Sequence, residues 1–277
     1  MKLTPSMLNL DFSEIETRII RFIKEYVSNS QSTGIVLGLS GGIDSATTAA
    51  LCSKAIGSQN VLALLLPEEE TKKQEDINDA KDVAKQFNIE TQTVDISPAL
   101  ERIYTTIPVY DQKDQICKGN IKARTRMIFL YYYANKFNKI VCGSSDKSET
   151  LMGYFTKWGD GAADIAPIMD LYKTQVRKLA INLGISERIA LKPATPALWP
   201  NQSAEDEMGI KYETLDLILY GLERFMAINK IANQLNVDQS IVEAVKKRWL
   251  ANEHKRQLPI TFKLGFRTVG NDFRLSR

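Results

Sequence analysis

The sequence has few of the residues that build zinc sites or disulfide frameworks. It contains one histidine and three cysteines in 277 residues. Cys52, Cys117 and Cys142 show no CxxC spacing, so a zinc site made of histidine and cysteine is not expected. Cys52 falls in a predicted helix and Cys142 at a predicted strand end. Buried free thiols in a reducing compartment are their simplest explanation.

The chain also lacks long apolar runs and a large excess of charge. No segment approaches the roughly 20 apolar residues of a membrane-spanning helix. The first residues contain no apolar core of a signal peptide. The 36 basic and 33 acidic residues leave a net charge of +3, too small and too dispersed to indicate nucleic-acid binding. These absences predict a cytoplasmic protein with neither a membrane nor a nucleic acid as partner.

What the chain does have is a glycine-rich turn, GLSGGIDS, between an apolar run at 35–37 and a helical segment at 46–51. Glycines allow close approach to an anion, and the free N–H groups of a helix N-terminus attract it. The lysine of a Walker A loop is absent. An ordinary tight turn is the alternative, but two serines and an aspartate favour a phosphate cradle. The turn resembles the SGGxDS pyrophosphate loop of enzymes that cleave ATP between its α and β phosphates. By this resemblance, the predicted ATP-binding residues are Gly38, Leu39, Ser40, Gly41, Gly42, Ile43, Asp44 and Ser45.

Strands and helices alternate along the first two thirds of the chain. This order predicts an α/β fold with a doubly wound, Rossmann-like parallel sheet flanked by helices, followed by a helical C-terminal part. The predicted strands are 34–39, 61–66, 91–95 and 140–142, and 68–73 is predicted to be a surface loop. We expect one domain over 1–277, with an N-terminal helix at 10–28, an α/β core at 34–190, and C-terminal helices and a tail at 205–277. The loops after the first and last strands should share one crevice.

The loop after the last predicted strand, residues 143–164, holds four glycines, four carboxylates and two lysines. Long loops of this kind are usually functional. Together with the GLSGGIDS turn and residues 119–126, 172–175 and 254–256, it closely resembles the ammonia-dependent NAD synthetases. The resemblance runs in unbroken order over roughly 34–260. It implies an adenine nucleotide α-hydrolase type of fold and a homodimer. The implied reaction converts deamido-NAD, ATP and ammonia into NAD, AMP and pyrophosphate.

Asp44 and Glu149 follow the two strands whose ends should meet, and both match metal-ligand positions of the family. Carboxylates and phosphate oxygens are the ligands that Mg²⁺ prefers. Asp44 could instead only stabilise a helix N-terminus, and Glu149 could be a solvated loop charge. Ser40, Gly42 and Ser45 would hold the pyrophosphate. By resemblance, Lys173 contacts the ATP phosphates, and Asp44 and Lys173 are the predicted catalytic residues. Ser144 and Thr195 are further ATP-binding residues by the same resemblance.

Four positions depart from the family pattern. Ser144 stands where threonine is usual, Asp146 where asparagine is common, and Pro196-Ala197 replaces a small-then-acidic pair. The first change keeps the hydroxyl. The second adds charge near the expected metal and leaves the role of Asp146 open.

The resemblance assigns the binding of deamido-NAD to Arg124, Lys157, Asp164, His254 and Lys255. A guanidinium can grip a phosphate with two hydrogen bonds. Arg124 lies on a predicted helix at 121–137 that also carries Lys122, Arg126 and three consecutive tyrosines. Lys118, Lys122, Arg124 and Arg126 gather around this helix and could serve a phosphate-bearing ligand. Arg126 faces another way than Arg124 and is expected to form a structural ion pair. The tyrosines are expected in the core and at a dimer surface.

The nitrogen donor is expected to be ammonia, free or delivered by another polypeptide. A glutamine-dependent version needs a glutaminase unit with a reactive cysteine, but only about 33 residues precede the first predicted strand and none is cysteine. Other adenylating enzymes with this cradle include guanylate and asparagine synthetases and the thiolating and queuosine-pathway enzymes. The last two need cysteine clusters that this sequence lacks. A non-catalytic ATP sensor would lack the carboxylates Asp44 and Glu149.

Overall fold

The computed structural model describes residues 2–268, and its centre is a sheet of four parallel strands in the order β3-β2-β1-β4. Ile35 pairs with Val61 on one side and with Ile140 on the other. The order therefore reverses between β1 and β4. The strands are β1 Ile35–Gly38, β2 Val61–Leu65, β3 Glu90–Thr93 and β4 Ile140–Cys142. This arrangement confirms the predicted doubly wound parallel sheet.

Strand burial follows from the position of each strand in the sheet. Every residue of β2 is buried, as expected of an apolar strand covered on both faces. β3 is the edge strand, and its sequence ETQT is exposed along its whole length. Polar side chains suit an edge, because they discourage pairing with further strands.

Helices cover both faces and continue into the C-terminal part. The first seven are α1 Phe12–Asn29, α2 Ile43–Ile56, α3 Gln74–Gln86, α4 Ser97–Thr106, α5 Gln115–Lys136, α6 Lys147–Met152 and α7 Lys173–Asn182. The others are α8 Glu187–Ala190, α9 Ala204–Met208, α10 Tyr212–Glu223, α11 Ile228–Leu235, α12 Gln239–Ala251 and α13 Glu253–Arg256. Short 3₁₀ helices occupy Pro5–Leu8 and Ser58–Asn60.

Alternate residues of β1 supply two different cores, as the period of two in a strand requires. Ile35 and Leu37 pack with α1, α2, α3 and α7 on one face. Val36 packs with Leu62, Leu64 and the apolar side of α5 on the other. A third core lies within α10, α11 and α12 and contains Tyr212. That all three cores form one domain stays a prediction.

Several boundaries differ from those predicted. α5 begins six residues earlier than expected, because Asp114 caps it by accepting from the N–H of Cys117. The predicted C-terminal helices begin with the short α9, which ends at its C-cap Gly209, where φ is +69. Residues 269–277 of the predicted tail lie outside the described residues. Between residues 2 and 268, no helix combines the length and apolar character needed to cross a membrane.

The predicted burial of two thiols is confirmed. Cys52 on α2 and Cys142 on β4 are buried free cysteines with their sulfur atoms 3.7 Å apart, whereas Cys117 is exposed. Both buried thiols belong to the core that Ile35 and Leu37 form with α1, α2, α3 and α7.

Candidate active site

The GLSGGIDS turn joins β1 to α2 at the carboxyl edge of the sheet. Gly41 has φ +84, and a Cβ there would collide with the main-chain carbonyl of Asp76, so only glycine fits. The Ser45 hydroxyl donates to the carbonyl of Gly42 at 3.0 Å and lies 3.0 Å from the Ser40 hydroxyl. Gly42 is the N-cap of α2 and has no side chain to occupy the helix N–H groups. The turn therefore has the form of an anion cradle.

Three carboxylates meet beside this cradle. Asp44 lies in the first turn of α2, Asp146 is the N-cap of α6, and Glu149 follows within α6. One carboxylate oxygen from each lies within 4.8 Å of the others. β1 and β4 are parallel neighbours, so the loops after them meet at one edge. The structure thus brings Asp44 and Glu149 together as the sequence predicts.

Lys173 completes what we call the ion cluster, defined as Asp44, Asp146, Glu149 and Lys173. Its ammonium lies 2.6 Å from Asp44, 2.8 Å from Asp146 and 2.9 Å from Glu149. Lys173 is the first residue of α7 and is fully buried, although a helix N-terminus is an unfavourable place for a cation. The three carboxylates offset that unfavourable position.

The electrostatics of the ion cluster reflect an excess of negative charge. Burial raises the pKa of Glu149 to about 8, against the opposing effect of Lys173, and Asp146 and Asp44 raise it further. Burial likewise raises the pKa of Asp146 to about 6. Burial alone would lower the pKa of Lys173, but its three carboxylate neighbours raise it well above its ordinary value. Three carboxylates around one ammonium leave a net negative charge, which a second cation would neutralise.

The donor set fits a divalent cation such as Mg²⁺. All three ligand atoms are carboxylate oxygens, which hard cations prefer. The Oδ1 atom of Asp44 is buried and, within the described chain, has no hydrogen-bond partner. Buried polar atoms are normally satisfied, so an unpaired carboxylate oxygen beside two others indicates a place for a cation.

Two further predicted ATP-binding residues, Ser144 and Thr195, lie in loops. Ser144 is half-buried in the loop after β4, two residues before Asp146. Thr195 is exposed, and its hydroxyl accepts from the N–H of Ala197 at 3.1 Å. Thr195 also lines a cavity of about 230 Å³ that extends to Glu70 and Thr71.

Four of the remaining predicted residues form a second connected set, the basic group, defined as Arg124, Lys157, His254 and Lys255. The Arg124 guanidinium donates to the carbonyl of Lys157 at 3.2 and 3.3 Å. The Lys157 ammonium donates to the carbonyl of His254 at 2.6 Å. The Lys255 ammonium donates to the carbonyls of Gly153 and Phe155 at 2.7 and 2.9 Å. Arg124, Lys157 and Lys255 are therefore held by neutral main-chain acceptors, which do not neutralise their positive charges.

Asp164 lies apart from those contacts, at the end of the loop that also carries Lys157. Its carboxylate accepts from the N–H of Val141 at 2.7 Å and from the Tyr131 hydroxyl at 3.4 Å. The side chain is exposed, but both oxygens already have partners from β4 and α5.

The interpretation of residues 68–73 as a solvated surface loop is wrong for Glu68. The Lys122 ammonium is buried and lies 2.8 Å from Glu68 and 2.6 Å from Glu70. Lys118 also pairs with Glu70, at 2.8 Å. Glu68 and Glu70 neutralise these two lysines. The prediction that Lys118 and Lys122 serve a phosphate-bearing ligand is therefore wrong.

Arg126 also differs from the prediction of an ion pair. Its Nε donates to the main-chain carbonyl of Leu66 at 3.3 Å, and no ion pair of Arg126 is found among residues 2–268. The partner of Arg124 is Lys157. Arg126 therefore faces another way than Arg124, as the helical spacing predicts, but its partner is a main-chain carbonyl and not a carboxylate.

The structure adds Asp146 to the site, whose role the sequence left open. It is fully buried and accepts from the N–H of Glu149 at 2.8 Å, so it both caps α6 and contacts Lys173. The D-x-x-E spacing of Asp146 and Glu149 is the available signal, since such spacing is typical of a helix start.

An anion cradle after β1 and an acidic site after β4 that fits a cation, on one parallel sheet, define an α/β nucleotide-binding protein. Among solved structures, NMN synthetase from Francisella tularensis matches with a TM-score of 0.81 and 34% identity, covering 92% of this chain and 100% of that one. An NH3-dependent NAD synthetase from Campylobacter jejuni matches with a TM-score of 0.77 and 33% identity, at the same coverage. These matches confirm the adenine nucleotide α-hydrolase type of fold.

Sequence comparison identifies the family. The NAD synthase family model matches residues 15–259. A relative from Hyperthermus butylicus, named NH(3)-dependent NAD(+) synthetase, is 44% identical over 254 residues, which are 91% of both chains. The chain belongs to the NAD synthase family.

Proposed function

We propose that this protein is an ammonia-dependent NAD synthetase. It would use ATP to convert deamido-NAD and ammonia into NAD, AMP and pyrophosphate. The observation that carries the proposal is the ion cluster beside the anion cradle, because a cleaved triphosphate needs its charge neutralised at that edge of the sheet. Family membership and the names of the relatives support the choice of reaction.

The reaction needs two steps, because a carboxylate is a poor electrophile. First, an oxygen of the nicotinate carboxylate attacks the α-phosphorus of ATP, and the bond to pyrophosphate breaks. The product is a mixed anhydride, the adenylated deamido-NAD. Second, ammonia attacks the carbonyl carbon of the anhydride, AMP leaves with the bonding electrons, and loss of a proton gives the amide.

The cradle and the ion cluster would serve the first step. The residues 38–45, with Ser144 and Thr195, would hold ATP, and the hydroxyls of Ser40 and Ser45 would contact the departing pyrophosphate. Lys173 would exchange a carboxylate for a phosphate oxygen as negative charge develops there. Asp44 and Glu149 would hold Mg²⁺, with Asp146 beside them, and the ion would neutralise charge on the triphosphate.

The basic group and Asp164 would bind the dinucleotide. Arg124, Lys157 and Lys255 donate to main-chain carbonyls, so none of these three cationic groups is neutralised there by a carboxylate, and the carbonyl of His254 is the acceptor for Lys157. A phosphate arriving at these side chains meets positive charge that is already oriented. Asp164 would accept a hydrogen bond from a ribose hydroxyl or an amide.

We further propose that the active form is a homodimer built around α5. Arg124, Ile128 and Tyr132 are spaced four residues apart and therefore share one side of the helix. Ile128 is 56% exposed and Tyr132 64% exposed, which is unusual for large apolar side chains in the middle of a helix. An isologous contact would cover both and bring Arg124 near the two-fold axis. The reducing environment that suits the free thiols supports a cytoplasmic location.

The test is an assay of NAD formation from deamido-NAD and ATP, with ammonium or glutamine as nitrogen source. We expect equal amounts of NAD, AMP and pyrophosphate with ammonium, and no product with glutamine. Nicotinic acid mononucleotide should be offered as a competing substrate, because one structural relative is named as an NMN synthetase. Faster amidation of the mononucleotide, or ATP cleavage to ADP, would refute the proposed reaction.

A further inference from the structure

We propose that helix α10, in the C-terminal part of the chain, carries two positioning residues for the ion cluster, Asp216 and Tyr212. This inference rests on the proposed function, because it assigns those residues to the ATP and metal site. Asp216 and Tyr212 are four residues apart, so they lie on the same face of α10. Both side chains are fully buried.

Asp216 connects α6, which contains Glu149, to α7, which begins at Lys173. Its Oδ1 accepts from the Ser148 hydroxyl on α6 at 2.5 Å. Its Oδ2 accepts from the N–H of Thr174 on α7 at 2.9 Å. One carboxylate from a distant helix therefore satisfies a free N–H at the start of α7 and holds α6 against it.

Ser148 extends this link to Lys173 itself. While the Ser148 hydroxyl donates to Asp216, its oxygen accepts from the N–H of Lys173 at 3.0 Å. Ser148 is also the neighbour of Glu149 in the chain. Asp216 thus determines the main-chain position of Lys173 on one side and of Glu149 on the other, without contacting either side chain's charged group.

Tyr212 acts on the side chains directly. Its hydroxyl donates to Oε1 of Glu149 at 3.2 Å, the same oxygen that Lys173 contacts at 2.9 Å. The Lys173 ammonium lies 5.3 Å from the centre of the Tyr212 ring, within the range of a cation–π contact. A carboxylate that binds a cation needs its second contacts fixed, or its orientation becomes variable.

The C-terminal helices therefore do more than add a third core. α10 belongs to that core through the buried side chains of Leu215, Ile218 and Leu219, and it presents Tyr212 and Asp216 to the ion cluster from the same helix. The geometry of the ATP site would then depend on the packing of a region that contributes no ligand atom to the cation.

The experiment compares Asp216→Asn, Tyr212→Phe and Ser148→Ala with the wild-type chain. Asparagine offers one acceptor oxygen in place of two, so either the Ser148 or the Thr174 hydrogen bond is lost. We expect Asp216→Asn to raise the half-saturating Mg²⁺ concentration and lower kcat by roughly 10- to 100-fold. Tyr212→Phe should raise the half-saturating Mg²⁺ concentration about tenfold and lower kcat about tenfold. Calorimetry should also show weaker binding of Mg²⁺ to these variants in the presence of a non-cleavable ATP analogue. This measurement does not depend on turnover.

Matched controls separate positioning from general stability. Tyr220→Phe removes a hydroxyl from the same helix, and Asp238→Asn changes a carboxylate that caps α12 by accepting from the N–H of Ser240. Both should keep the wild-type Mg²⁺ dependence. If Asp216→Asn does not fold, Tyr212→Phe and Ser148→Ala decide the question.

The proposal is overturned if every folded variant keeps the wild-type Mg²⁺ affinity and kcat, even where its melting temperature falls. Failure of the proposed function has a different result. In that case the wild-type chain makes no NAD, while the calorimetric comparison of the variants can still be completed.

Discussion

The ion cluster and the basic group lie at the same edge of the sheet, but they are held in opposite ways. In the ion cluster, every charge is buried or nearly so and contacts an opposite charge within 3 Å. In the basic group, Arg124 and His254 are exposed and the cationic side chains contact neutral carbonyls. The first arrangement is enclosed and keeps an excess of negative charge, and Oδ1 of Asp44 has no hydrogen-bond partner among the described residues. The second is open and still carries its charge.

This difference matches the two tasks that we propose for the regions. Transfer of an adenylyl group is sensitive to small displacements, so the side chains that assist it should be fixed before the substrate arrives. Binding a large dinucleotide tolerates side-chain adjustment and benefits from uncompensated charge. Substitutions in the ion cluster should therefore reduce turnover, whereas substitutions in the basic group should weaken substrate binding.

The largest effect is expected for Asp44→Asn. Loss of a cation ligand and of a Lys173 contact should lower kcat by about 1000-fold, or about 4 kcal/mol in activation free energy. The fold should survive, because two carboxylates still surround Lys173. Release of pyrophosphate is the measurement, and Asp11→Asn, at the exposed cap of α1, is the control. Near-normal turnover with unchanged Mg²⁺ dependence would remove Asp44 from the site.

Glu149→Gln should have a smaller effect of a different kind. Asp44 and Asp146 remain as carboxylates, so cation binding should weaken rather than vanish. We expect the half-saturating Mg²⁺ concentration to rise by roughly 10- to 100-fold, with much of kcat recovered at high Mg²⁺. A titration of activity against Mg²⁺ checks this. If the titration curve does not move, Glu149 is not a ligand.

Arg124→Ala tests the basic group, where we expect an effect on the binding of deamido-NAD. A lost charged hydrogen bond at a binding surface costs about 2 kcal/mol at the low end, so KM for deamido-NAD should rise roughly 30-fold. The KM for ATP and the Mg²⁺ dependence should stay as in the wild type. Arg18→Ala, exposed on α1, is the control. An effect confined to the KM for ATP would mean that Arg124 serves the other substrate.

The smallest effect on chemistry, and the clearest on assembly, is expected for Ile128→Glu. A charge in an apolar contact should dissociate the proposed dimer, and sedimentation at micromolar concentration should then find a monomer. Binding of deamido-NAD should weaken because Arg124 lies on the same side of α5, while the ion cluster within one subunit stays intact. A wild-type chain that is a fully active monomer would refute both the dimer and its role.

Much of this site follows from local sequence. The turn from β1 to α2 is specified by neighbouring residues, because Gly41 needs a positive φ and α2 begins directly after it. Local pattern also predicts β1, β2 and β4, which are short apolar runs. It correctly places the cradle and Glu149 at one edge, because parallel neighbours end on the same side. Local pattern did not predict the pairing of Lys122 with Glu68, because 54 residues separate them and lysine and glutamate side chains are normally solvated.

The sequence by itself therefore determined the order of elements, the anion cradle and the residue types at the carboxyl edge, since these depend on neighbours along the chain. Only the tertiary structure decided which charges meet. Lys173 and Asp44 are 129 residues apart, and Asp216 reaches Ser148 across 68. Whether a lysine is solvated or buried among three carboxylates depends on the packing of α7 and α10, because a charge can be buried only where distant segments supply its partners.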